Sequence, residues 1–92
     1  MARTRVRIIV DAERESRKIR RLRSMVAMVS DLLRRSDMPM IEAVHLVQAV
    51  RSQALRIFPG QEETYDRLYA PRFARILREK YNIPDPREDL AA

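Results

Sequence analysis

The sequence predicts an all-α protein, and three observations carry that expectation. Apolar residues recur at spacings of 3 and 4 through most of the chain, only one glycine and no tryptophan occur, and Pro39, Pro59 and Pro84 punctuate the periodic segments. The expected architecture is a three-helix antiparallel bundle with a long basic first helix and a short N-terminal strand. Its boundaries are a basic N-terminal arm or strand over residues 1–10, a three-helix domain over 11–83 and a polar C-terminal tail over 84–92.

Residues 3–10, RTRVRIIV, alternate between Arg3, Arg5 and Arg7 on one side and Thr4, Val6, Ile8 and Val10 on the other. With this β-branched content they read as a short strand. A lone strand cannot satisfy its own backbone, so it needs a partner strand from a second copy or another protein. The alternative is a disordered basic tail. A basic strand leading into helices resembles the ribbon-helix-helix DNA binders. The first helix is far too long for that pattern, with no turn before Ser36, so the sequence is assigned to no family.

The first helix is expected over residues 12–35. Asp11 suits its N-cap, Glu13 and Glu15 meet its dipole in the first turn, and Arg34 and Arg35 do so in the last. Ile19, Leu22, Val26, Val29 and Leu33 line one side, spaced 3, 4, 3 and 4 apart. Its two halves differ: Arg and Lys crowd the part up to Arg23, whereas Ser24 to Ser30 carry no charge. In that neutral run Met25, Ala27 and Met28 extend the apolar surface beyond the stripe, which predicts burial on two sides and a homodimer.

Ser36 to Pro39 breaks the first helix, and a second runs from Pro39 to Phe58. Its apolar arc is Ala43, Val44, Val47, Val50, Ala54, Ile57 and Phe58; Glu42, His45, Ser52 and Arg56 lie opposite. Pro59 and Gly60 end it. The third helix opens with Glu62 and Glu63 and buries Tyr65, Leu68, Tyr69, Phe73, Ile76 and Leu77. Pro71 falls inside that pattern, so a kink or restart is expected there. Asn82 suits a left-handed cap, with Ile83 folding back and Pro84 stopping the helix.

Composition excludes several classes of function. Ninety-two residues form one small domain with a modest core. Without cysteine there are no disulfides or thiolate metal sites. The only apolar run near the N-terminus is Ile8-Ile9-Val10, too short for a signal peptide, and nothing approaches the ~20 apolar residues that span a bilayer. A soluble cytoplasmic protein with no membrane partner is expected.

Metal and catalytic sites fare no better. Glu42 and His45 have the Glu-x-x-His spacing of di-iron bundles, but they face away from the apolar arc and no second histidine exists. A solvated pair is the expectation, with no metal and no cofactor. The five serines, one histidine and one glycine offer neither a nucleophile paired with a base nor a phosphate loop, so no catalytic residue and no enzyme is expected. Tyr65, Tyr69 and Phe73 alternate with arginines as a base-stacking platform would, yet at i, i+4 and i+8 on the apolar arc they read as core. Arg72, in the middle of that arc, must pair, snorkel or be turned outward.

Charge position is more informative. Residues 1–23 hold nine basic and three acidic side chains, a net of +6, whereas residues 24–92 hold ten of each. Seventeen of the nineteen cations are arginine, whose guanidinium grips phosphate or carboxylate in two places; a GC-rich coding sequence gives the same bias. Arg3, Arg5, Arg7, Arg14, Arg17, Lys18, Arg20, Arg21 and Arg23 are the candidate contacts to a nucleic-acid backbone. The expected function is therefore non-enzymatic association with nucleic acid. The alternative is a small helical adaptor or assembly subunit whose basic segment docks on an acidic protein partner.

Overall fold

The computed structural model describes the backbone of residues 2–83 and the side chains of residues 12–83, and all regular structure within them is helical. Four helices follow in order: α1 (Ala2–Arg35), α2 (Met40–Ile57), α3 (Glu62–Leu68) and α4 (Ala70–Tyr81). The expected polar tail over 84–92 lies outside the described residues.

The strand expected over residues 3–10 is instead the first turns of α1, and Asp11 lies within the helix rather than capping it. Continuing an existing helix adds one hydrogen bond per residue without a new nucleation cost. A single strand would have left its ladder groups unpaired. With the strand goes the feature on which the ribbon-helix-helix resemblance rested.

α1 and α2 form an antiparallel hairpin about Ser36–Pro39, so that Lys18 of α1 reaches the Phe58 ring at the end of α2, 5.9 Å from its centroid. Pro39 is extended at φ −62° and ψ 152°, and its carbonyl accepts from the N–H groups of Glu42 and Ala43 at 3.1 Å. Gly60, at φ +78°, makes the turn after α2; a side chain there would be strained by the backbone alone.

The expected third helix is two helices. The break falls at Tyr69, φ −115° and ψ −32°, which places Pro71 in the first turn of α4, where its missing N–H costs nothing. The restart turns Arg72 outward into solvent and leaves Leu68 exposed, while Tyr65 and Phe73 stay buried. α4 then returns along α1 and ends against the α1–α2 turn. There Lys80 Nζ donates to the carbonyls of Leu33 and Ser36, and Tyr81 Oη donates to the Met38 carbonyl at 2.7 Å. A cation on these carbonyls complements the negative end of α1. Asn82 is left-handed at φ 53°, and the Ile83 N–H folds back onto the Arg78 carbonyl at 3.0 Å, as the sequence predicts.

The core gathers Leu22, Val26, Val29 and Leu33 of α1 with Ala43, Val50 and Ala54 of α2, Tyr65 of α3, and Phe73 and Ile76 of α4. Ile19, the first member of the expected stripe, is 40% exposed, because α1 leaves the bundle there. The molecule measures 63 × 30 × 16 Å, and α1 supplies its length.

Arg51 ties α2 to α3. Its Nε and Nη2 donate to Asp66 Oδ1 and Oδ2 at 2.9 and 3.1 Å, a two-pronged contact. Hydrogen bonding from the guanidinium, with its charge behind it, holds the Asp66 carboxyl below the usual carboxylate range. Stability from a depressed carboxylate is present above its unfolded pKa and lost as pH falls through the folded value. Asp66→Asn is therefore expected to lower the Tm at neutral pH, and its gap from wild type should close as pH falls below about 4. Thermal melts across that range check this; a gap unchanged in acid would contradict it.

Candidate nucleic-acid interface

Six of the predicted basic residues have described side chains, and the fold divides them. Arg14, Arg17, Lys18 and Arg21 converge on the flank of α1 that meets α2, where Gln53, Arg56, Ile57 and Pro59 complete the walls of a groove of about 500 Å³. Among the described residues no carboxylate lines this groove. Arg20 is exposed outside it, and Arg23 lies around the helix from it. Arg3, Arg5 and Arg7 fall in the first turns of α1, and their side chains lie outside the described residues.

Arg56 and Gln53 were not among the expected site residues. On α2 alone, Arg56 belongs to the solvated face. Only the antiparallel hairpin, which sets residues 53–57 opposite 18–22, brings it to the cations of α1. The turn at Ser36–Pro39 was the available signal, because two helices of known length folded about it fix that register.

The cations are held loosely. Lys18 lies 3.5 Å from Glu15 with both side chains well exposed, an arrangement that contributes little. It also sits over the Phe58 ring. Among the described residues Arg17, Arg20, Arg21 and Arg23 make no ion pair. Arginines three or four apart on a helix repel one another, and their field in water reaches about 8–10 Å at moderate salt. An incoming anion would relieve that repulsion.

A second groove, of about 440 Å³, opens on the other flank of α1 between the end of α2 and α3. Ile19, Leu22, Leu55, Phe58, Leu68 and Tyr69 give it an apolar floor, with Glu15 and Arg23 among its lining residues. Tyr65 and Phe73 are core, so the aromatic series of α3 and α4 offers no open platform to bases. Tyr65 packs against Tyr69 with ring centroids 5.5 Å apart.

Glu42 and His45 are both exposed on α2, and no group of three or more metal-ligating side chains gathers among the described residues. His45→Ala is expected to change stability by no more than ~0.5 kcal/mol. Iron, manganese or zinc should leave the Tm where it is. A metal-dependent rise in Tm that disappears in the variant would contradict both expectations.

No helix among the described residues is long and apolar enough to cross a membrane. Compared with protein-family models, with curated proteins and with solved structures, the chain gives no match.

Proposed function

We propose that this chain is a non-enzymatic nucleic-acid-binding protein that holds the phosphate backbone through the basic half of α1, with Arg56 of α2 as an added contact. The observation that carries the reading is the convergence of Arg14, Arg17, Lys18, Arg21 and Arg56 from two helices on one groove with no carboxylate in its lining among the described residues. Cations brought together with a single loose ion pair among the described residues, Lys18 to Glu15, favour a ligand with regularly spaced negative charge, and a nucleic-acid backbone is such a ligand. A titration on duplex DNA and on single-stranded RNA at 50 mM salt tests it, with binding to at least one expected. Absence of binding to both ends this reading. The adaptor alternative would then stand, and the same arginines would be needed to hold an acidic protein.

A homodimer belongs to the same proposal. The neutral run of α1 is only half covered within one chain: Val26, Val29 and Ser30 are buried, but Met28 is 66% exposed and Leu32 one turn on is 47% exposed. That uncovered strip supports self-association through the C-terminal half of α1. Sedimentation equilibrium should report a dimer in the micromolar range; a monomer at high micromolar concentration would remove this part of the proposal.

A further inference from the structure

We infer that the nucleic acid this surface fits is a B-form DNA duplex, with the outward half of α1 seated in its major groove. The inference deepens the proposed function and rests on it. Its first support is where α1 stands free. Residues 12–17 are all exposed, Leu22 is the first buried side chain of α1 among the described residues, and α2 ends at Ile57 before the chain turns away through Pro59 and Gly60. α1 begins at Ala2, so sixteen helical residues precede Lys18, about 24 Å of helix at 1.5 Å per residue.

The second support is how the cations are distributed around the rod. At about 100° per residue, Arg23, Arg20, Arg17, Arg21 and Arg14 follow one another across roughly 180° of circumference. All five are exposed, and the remaining half of the helix carries Ile19, Leu22 and Val26 toward the bundle. A helix resting on a single phosphate strand needs cations along one edge and would leave the others idle. A helix in a groove has a phosphate wall on each side, so cations on both flanks find partners.

Dimensions then choose the groove. A helix with its side chains is about 10–12 Å across, which matches the ~12 Å major groove of B-DNA and exceeds the ~6 Å minor groove. The deep, narrow major groove of A-form RNA excludes it. Arg56, on α2 at the foot of the free rod, is set to one side of α1 and meets the backbone flanking the occupied groove.

The test compares three duplexes of equal length and charge at one salt concentration: B-form DNA, double-stranded RNA, and the same DNA with bulky glucosyl groups projecting into its major groove. Binding to plain DNA is expected to be at least tenfold tighter than to either of the others. Equal affinity for all three would overturn the groove inference while leaving a phosphate-binding function intact. Failure to bind any of them would overturn the proposed function as well.

Discussion

Phe73→Ala is expected to be the most damaging single substitution in this chain, lowering stability by about 3–5 kcal/mol. Phe73 is fully enclosed and is the largest such side chain, set in the first turn of α4 where α1, α2 and α4 meet. Its removal takes away transfer energy and leaves a cavity that a close-packed core closes only in part. A domain of this size commands only about 5–15 kcal/mol in total. At about 4–8 °C for each kcal/mol, the Tm should fall by roughly 12–40 °C. Leu68→Ala is the control. Leu68 belongs with Phe73 on the apolar arc of an unbroken helix, yet it is 57% exposed, so its loss should cost about 1 kcal/mol or less. Thermal melts of the two variants check both; comparable losses would contradict the break at Tyr69.

The second large effect concerns binding. Replacing Arg17, Arg20 and Arg21 together with Gln is expected to weaken association with duplex DNA by roughly 10²–10³-fold at ~0.1 M salt, since each lost phosphate contact forfeits the release of nearly one counterion. Helicity by circular dichroism should be unchanged. All three side chains are exposed, they make no ion pair among the described residues, and glutamine is a good helix former. Arg56→Gln alone should weaken binding by about one contact. Arg75→Gln, on the exposed side of α4, should leave it unchanged. Equal losses from Arg75 and Arg56 would mean that total charge matters and the groove does not.

Much of the fold was legible because its signals are local. The Leu22-Val26-Val29-Leu33 stripe needs only helical spacing, and all four are buried. Asn82 as a left-handed cap follows from its own side chain and from Pro84 beyond it. The errors have equally local causes. Eight alternating residues at the N-terminus satisfy period two, but alternation carries no information about a pairing strand, and without one the backbone closes its hydrogen bonds by extending α1. Pro71 announced a break without saying where; its effect falls on the residues before it, so the helix parts at Tyr69 and the face of Leu68 changes.

The candidate site was half legible. Charge counting finds the arginines of α1, because they are neighbours in sequence. Arg56 lies 35 residues after Arg21 and joins them only through the hairpin, so no reading of α2 alone assigns it. Conversely, grouping all six described cations into one cluster overlooks that they occupy different sides of a helix. The fold sends four of them toward α2 and leaves Arg20 and Arg23 elsewhere.

The central claim is that this basic surface holds a phosphate backbone, and the salt dependence of binding tests it most directly. If four to six contacts form, a plot of log K against log salt concentration on duplex DNA should have a slope of roughly −4 to −5. In the variant lacking Arg17, Arg20 and Arg21 it should shallow to about −1 to −3. A slope near zero, or one that the triple substitution leaves unaltered, would contradict the account.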